Sequence, residues 1–590
     1  MPTRPLPNDP SLEHLRKEAK RLLKAATASD AEALTQIAEH HPRASRSTEP
    51  FSLADAQLVV ARSYGFASWT RLKQYLDTLE QFAWNPPARD QHASLLDVFI
   101  GLACLDYGAW HRSNPDKARR LLEEHPELAH ADIYSAAAVG NVDAVRAAID
   151  RDPSLVNARG GSLRWEPILY ACYSRMPEVP PSYSTLDVAR LLLSRGADPN
   201  AGFLWDGTYL FTALTGAFGE GEDGPNNPPH PHRDALATLL LDAGADPNDG
   251  QTLYNRHFRA NDDHLKLLFS YGLGTDRGGP WFTRLGDRAT SPSRMLVEEL
   301  WSAAKNNRLA RVTLLTDHGV DVNTAGLRDG RTPYEVAIRE GNTAIADYLL
   351  AHGARPVELD SKERFAQACL QGNRRAALAL LAEDPALLDK MGHHGRVDLM
   401  HRAARSHGPG CLRLTVELGI DINGFVPNSG LDRAVLHDAA MFGSLEGVQL
   451  LLELGADPHL RDPTYHSTPI GWAYHGGQHH VVEYLARFAS IFDALRCNAI
   501  DRVAELLGAD PALANAVDEA GTPLVFYLHA QLSRLDDMLT LLRSHGCDVN
   551  ARSPKRGITL LDFALSEGLL DFADVLRRHG LRTSGELAGS

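Results

Sequence analysis

The ten residues LLLSRGADPN (191–200) return at 239–248 as LLLDAGADPN. Repetition this close constrains the fold more than any other property of the chain. Each copy has to build the same unit, and neighbouring units have to bury one another's apolar faces. The glycine closing each apolar run serves as a ruler and falls at Gly196, Gly244, Gly319, Gly353, Gly419, Gly455, Gly546 and Gly580. The intervals are 48, 75, 34, 66, 36, 91 and 34 residues. Three sit close to a period of about 33, and the interval of 66 is a double step. The two long gaps hold degenerate copies, LLFSYGLGTD (267–276) and LLGADPALAN (506–515).

Each unit reads in the same way. In DVARLLLSRG (187–196), Val188, Leu191 and Leu192 fall at i, i+3 and i+4, one face of a helix. Gly196 can take the left-handed conformation that ends a helix without a Cβ penalty. Asp198, Pro199 and Asn200 then predict a turn, with Asp and Asn bonding back to local backbone. A second helix signal follows in DGRTPYEVAIREGN (329–342), with Thr332 as cap, Pro333 in the first helical position and Gly341 at the end. Three helix ends close instead on Asp-Pro (AAIDRDPSLVN, LALLAEDPALLD, ELLGADPALAN), and LLEEHPELAH (121–130) is a fourth paraphrase with His-Pro.

A turn, Thr-Pro, a short helix, a second helix and a Gly-Ala-Asp loop resemble the ankyrin repeat. The resemblance is sharpest in 329–355, 435–461 and 468–486, continues through 521–531 and 557–580, and extends upstream to 136–157. It implies an all-α fold, an ankyrin-repeat α-solenoid of about ten to twelve units over 133–583, of the kind found in bacterial ankyrin proteins. Residues 1–85 stand outside the pattern. They read as a helical leader, with an amphipathic helix over 11–26 and two more helices around a Gly-Phe turn in 55–76, expected to cap the exposed end of the array. Partner docking is the alternative role. Linker and entry helices occupy 86–132, and 584–590 form a tail.

Two insertions break the period, near 202–232 and near 272–294. Insertions in repeat arrays map to loops on one face, often the binding face. The first carries an acidic tip (Glu220, Glu222, Asp223) and the aromatics Trp205, Tyr209, Phe211 and Phe218; the second carries Trp281. Strands are expected to be nearly lacking.

Composition excludes several function classes. A formal net charge of −15 disfavours nucleic-acid binding, and the basic stretch RKEAKRLLK (16–24) reads as a solvated helix face. Six scattered cysteines form no disulfide framework. No signal-type apolar region opens the sequence and no run approaches the ~18 apolar residues of a membrane span, so a cytoplasmic location without membrane contact is expected.

In an ankyrin stack the first helix of each unit faces the concave side. Those helices carry Glu166, Tyr170 and Tyr173; Tyr334 and Glu335; His401, Arg402 and His407; His437 and Asp438; Trp472, Tyr474 and His475; Tyr527 and His529. His401 and His437 occupy the position where the motif uses histidine structurally, whereas Trp472 and His475 are off-pattern. The resemblance implies a protein or peptide partner in the concave groove. The binding candidates are Glu166, Tyr170, Trp205, Tyr209, Trp281, His401, Asp438, Trp472, His475 and Tyr527. The alternatives are a small-molecule sensor and an enzyme acting on a small polar ligand. Glu166, Asp206, Glu335 and Asp438 are conceivable carboxylates for an inverting glycoside hydrolase, which needs a pair ~6.5–9.5 Å apart. No spacing singles out a catalytic pair. His475, His479 and His480 lack a carboxylate or cysteine to complete a metal site, and no phosphate-binding or nucleophile-elbow motif is present; no metal or cofactor is expected.

Overall fold

The computed structural model describes residues 4–7, 10–42, 50–86, 93–108, 113–178, 182–222, 224, 226–276, 278–406, 408–427 and 429–588. The chain forms two compact units, Met1–Ala303 with Ala310–Gly330, and Ala304–Leu309 with Arg331–Ser590.

The repeated phrase folds as its chemistry dictates. Gly196 (φ 91°) and Gly244 (φ 98°) are left-handed. Around them Ala197 N–H bonds to Leu192 O and Ala245 N–H to Leu240 O, closing both helices in Schellman fashion. Asp198 bonds back to Asn200 N–H as expected. Asn200 does not bond locally. It reaches forward, donating from Nδ2 to Gly244 O (3.1 Å) and accepting at Oδ1 from Asp246 N–H (2.8 Å). The same pair of bonds joins Asn157 to Gly196 and Asp198 in the first unit. In the second unit it joins Asn423 to Gly455 and Asp457, and Asn515 to Gly546 and Asp548. Each finger is therefore stitched to the next helix end.

The first unit opens with α1 (Leu12–Thr27), α2 (Ala31–His40), α3 (Leu53–Ser63) and α4 (Trp69–Phe82), and then strand β1 (Ala83–Trp84). Helix pairs follow: α5 (Leu95–Ala103) and α6 (Pro115–Glu124), α7 (Ile133–Val139) and α8 (Val142–Arg151), α9 (Pro167–Tyr173) and α10 (Thr185–Ser194). The hairpin β2 (Gly202–Trp205) and β3 (Tyr209–Thr212) precedes α11 (Ala213–Phe218), α12 (Arg233–Asp242), α13 (Gly250–His257) and α14 (Asp263–Ser270). Then come α15 (Pro280–Leu285), α16 (Pro292–Lys305) and α17 (Leu309–Asp317), of which α16 and α17 have residues in both units. Three of the four His-Pro and Asp-Pro endings form short 3-10 turns, at Pro126–His130, Pro153–Asn157 and Pro511–Asn515, while the one at Pro385 leads into a helix starting at Leu387. The α5–α6 pair has the same layout, so pairing begins upstream of residue 133.

The second unit stacks α18 (Pro333–Arg339), α19 (Thr343–Ala351), α20 (Ser361–Leu370), α21 (Arg374–Glu383), α22 (Leu387–Ser406, broken at Gly392) and α23 (Pro409–Glu417). It continues through α24 (Val435–Met441), α25 (Leu445–Glu453), α26 (Pro469–His475), α27 (His479–Ala486), α28 (Ile491–Arg496) and α29 (Ile500–Ala509). It ends with α30 (Leu535–Ser544), α31 (Leu560–Ser566), α32 (Leu570–Arg578) and the short α33 (Ser584–Ala588), which falls in the expected tail. One continuous core of residues from Phe365 to Leu581 runs through it.

Strands are few, as expected: among the described residues β1, β2 and β3 form one three-stranded sheet in that order. Asp206 (φ 50°) and Gly207 (φ 63°) supply the positive-φ turn that a tight hairpin needs. The leader is helical, as expected. Its helices have their own core, with Leu15, Val59, Val60 and Leu72 fully buried, and they dock along the fingers. β1 pairs in parallel with β2. Trp84 donates from Nε1 to Leu163 O (2.7 Å) and packs on Trp165 and Phe203 at 5.1 and 4.9 Å. Ala67 N–H bonds to Asp287, Thr78 to Arg284 O, and Arg288 to Tyr64 O. The apolar area of Phe82 and Trp84 is what draws the leader onto this side. Linker residues 87–90 lie outside the described residues.

Replacing Asn200 by Ala removes both bonds between neighbouring repeats, and we expect a loss of about 1–2 kcal/mol. Asn200→Asp keeps the acceptor and should recover part of it. Urea unfolding followed by tryptophan fluorescence measures both; an unchanged midpoint for Asn200→Ala would mean that water substitutes for the amide without cost.

Candidate functional site

The two insertions meet. The first lengthens a finger into the β2–β3 hairpin. Phe203 and Phe211 stack on one face of that hairpin over Trp165, while Leu204 on the other face packs with Phe82 and Trp281. The second insertion brings α15 against the same face. Trp281 donates from Nε1 to Asn200 O (2.8 Å) and lies 5.0 Å from Phe82. Arg284 stacks on both rings, at 4.7 and 4.9 Å.

Beside this junction lies a cavity of about 350 Å³. Tyr209 and Leu210 form its hairpin wall, Asp246, Gln251 and Tyr254 the next finger and helix, Trp281 and Leu285 the α15 wall, Glu298 and Trp301 the α16 wall, and Leu327 the far rim. Tyr209 is 54% exposed and Leu327 68%, so the rim presents apolar surface to solvent.

The carboxylates around the cavity divide into two kinds. Asp249 is buried and caps α13, accepting from Gln251 and Thr252 N–H and from Thr212 and Thr215 hydroxyls; burial raises its pKa. Buried Glu299 pairs with Arg311. Glu298 and Asp246 are only half-buried. Both contacts of Glu298, from Leu327 N–H (2.8 Å) and Arg294 (3.2 Å), use Oε1. Both side-chain bonds that Asp246 accepts use Oδ1, from Asn248 N–H and Nδ2. Tyr254 is pushed up to about 12 by burial and by its bond to Glu222.

Of the residues singled out by sequence, Tyr209 and Trp281 line the cavity; Trp205 pairs with Tyr209 beside the hairpin turn, and its Nε1 donates to Asp106 O. Tyr170 is fully buried, its hydroxyl spent on Leu163 N–H and Gly160 O, which removes it from any surface. Glu166 is also buried; burial chiefly raises its pKa, and Arg159 lies 3.5 Å away. The acidic tip of the first insertion is corrected too. Glu220 is buried in ion pairs with Arg256 and Arg259, because the loop folds back onto α13. Asp223 and His407 lie outside the described residues.

In the second unit the row of inner-helix residues is engaged by its own neighbours. His401 donates from Nδ1 to Asp438 Oδ2 (3.0 Å), and Arg433 pairs with the other oxygen of Asp438 (2.5 Å). His437 sits 3.0 Å from Leu460 O. Trp472 donates to Asp462, which also accepts three finger N–H groups, and lies under Arg433 at 4.7 Å. Tyr527 donates to Asp518. His475 is exposed, and His480 bonds to Gly443 O. Glu335 closes the capping box of Thr332. None of Glu166, Asp206, Glu335 and Asp438 lines the cavity. Among the described residues no three His, Cys, Asp or Glu side chains gather as metal ligands.

The sequence pattern passes over Tyr254, Glu298 and Trp301 because neither α13 nor α16 opens with Thr-Pro. Their available signal is the i, i+3 spacing of Glu298 and Trp301, which puts both on one helix face.

Residues 298–360 match the family model described as ankyrin repeats (3 copies), and residues 436–486 the model described as ankyrin repeats (many copies). Together with the helix pairs and glycine-closed fingers, they make the architecture an all-α ankyrin-repeat solenoid. Among curated proteins the chain is similar to the putative palmitoyltransferase ZDHHC13 of Danio rerio, 26% identical over 178 residues, covering 30% of this chain and 27% of that protein. It is also similar to palmitoyltransferase AKR1 of Lachancea kluyveri, 30% identical over 172 residues, covering 27% of this chain and 22% of that protein. The chain thus spans about a quarter of the length of these curated relatives. No helix among the described residues is long and apolar enough to cross a membrane.

The Asp438 network carries a pH signature. Burial raises the carboxyl's pKa, but the His401 bond and the Arg433 charge outweigh it, and the net shift is downward. A depressed folded pKa contributes stability that is present above the unfolded value of ~3.9 and lost as pH falls through the folded one. Asp438→Asn should cost the second unit about 2 kcal/mol at pH 7, and the gap between parent and variant should narrow below about pH 4. Urea midpoints at the two pH values test this; a gap constant with pH would assign the carboxylate no role.

Proposed function

We propose that this chain is a protein-interaction module that engages its partner at the cavity of the first unit. Ankyrin repeats support protein interaction in general. The observation that carries the location is a preformed cavity of about 350 Å³ rimmed by exposed Tyr209 and Leu327. The inner-helix row of the second unit is a weaker candidate, since His401, His437, Asp438, Trp472 and Tyr527 already bond to neighbouring fingers and helices. Five buried cysteines and the half-buried Cys547, all as free thiols, fit work in the reducing cytoplasm. A second reading, a sensor for a small polar ligand, draws on the same cavity, whose volume lies within the ~300–1,000 Å³ typical of small-molecule sites.

The test is partner capture by the full chain and by a Tyr209→Ala, Leu327→Ala double variant. Both residues are exposed, so the melting temperature should stay within about 2–4 °C while capture falls at least about tenfold, or ~1.4 kcal/mol. Undiminished capture by this variant, together with loss in Phe442→Ala and His475→Ala, would move the site to the second unit. A metabolite and glycan thermal-shift screen that raises the melting temperature of the parent and not the double variant would favour the sensor.

A further inference from the structure

We propose that the cavity takes a cationic side chain, arginine above all, presented by an extended peptide; this rests on the cavity being the partner site. Four aromatic side chains stand among its walls, namely Tyr209, Tyr254, Trp281 and Trp301. Two half-buried carboxylates line it: Glu298 keeps Oε2 outside the bonds described above, whereas Oδ2 of Asp246 is packed against Gly279. Ring faces beside carboxylate oxygens are the surroundings that a guanidinium or ammonium group prefers.

Two cations do act at the cavity: Arg294 already pairs with Glu298 Oε1 (3.2 Å), and the charge of Arg328 reaches Tyr254. Arg288 is turned to the leader, bonding to Tyr64 O and lying 4.8 Å over Phe66. Arg328 is exposed at the rim. The protein also seats its own arginines on rings along this side: Arg284 on Trp281 and Phe82, and Arg159 on Phe82 at 5.2 Å. At longer range, a net charge of −15 steers a basic partner inward.

Backbone geometry points to a peptide. The register pairs Phe203 with Phe211 and Leu204 with Leu210, and Ala213 N–H bonds to Ala201 O. By the alternation of an antiparallel ladder, the Leu210 N–H and C=O turn to the outer edge of β3, beside the cavity. The opposite edge of this sheet already receives an extended segment, β1 of the leader. A peptide strand on the β3 edge would place a side chain in the cavity in the same manner.

The experiment is calorimetric titration of the full chain with acetyl-Gly-Gly-Xaa-Gly-Gly-amide, where Xaa is arginine, lysine, citrulline or phenylalanine, and with free arginine amide. We expect the arginine peptide to bind, citrulline to weaken binding at least tenfold, and Glu298→Gln, which keeps an acceptor for Leu327 N–H, to weaken the arginine peptide similarly. Citrulline binding as well as arginine, or an unchanged affinity in Glu298→Gln, would overturn the cationic assignment. Arginine amide binding as tightly as the peptide would overturn the peptide source. If only the phenylalanine peptide binds, and Tyr209→Ala abolishes it, the cationic assignment falls while the cavity stands as the partner site. If no peptide binds and partner capture ignores Tyr209→Ala, both fall.

Discussion

Asn200 donates to the carbonyl of Gly244 and accepts from the amide of Asp246, and Asn157, Asn423 and Asn515 make the same two bonds to the glycine and aspartate of the unit that follows them. Packing of apolar helix faces supplies most of the energy of such an array, but it tolerates sliding. The asparagine bond pair fixes how far one finger stands from the next. A left-handed glycine is required for it, because only that turn leaves the glycine carbonyl and the amide two residues on side by side for one carboxamide to span. The repeated phrase is thus a donor and acceptor set addressed to the next unit.

Once the fingers are held in register, what differs between them becomes a site. A finger lengthened into a hairpin and a short helix 70 or so residues later would be unrelated loops in an irregular fold. Here the stack places them on the same side, and Trp281 bonds to the carbonyl of Asn200 itself. The leader completes the arrangement. It adds β1 to the hairpin and holds the 284–288 segment through Thr78, Ala67 and Tyr64. The wall of the cavity nearest the leader therefore depends on a part of the chain that has no repeat character.

Much of this was legible in advance. Period, helix ends, Thr-Pro caps and both insertions follow from local chemistry, and Tyr209 and Trp281 could be singled out because aromatics inside an insertion need a surface to cover. Residues on the regular helices were harder to read. Tyr170, His401 and Asp438 have the composition of a binding row, yet Tyr170 is sealed beneath the finger that carries Leu163, and His401 spends its Nδ1 on Asp438. A polar side chain at an inner position looks the same in sequence whether its partner is a ligand or the next repeat. Glu298 and Tyr254 show the reverse. They sit on helices without the opening signature, and only their place beside the insertions gives them a role.

By itself the sequence determined that the chain is an array of paired helices, where each pair ends, and where the array is interrupted, because these depend on contacts within some ten residues: apolar spacing, caps and a glycine that must turn left-handed. The tertiary structure alone decided that the interruptions converge on one cavity, that the leader lies along the fingers, and which carboxylates line that cavity. Those outcomes depend on pairings such as Trp84 with Leu163, Asp287 with Ala67 and Glu298 with Leu327, between residues that carry no mark of one another until the stack brings them within hydrogen-bonding distance.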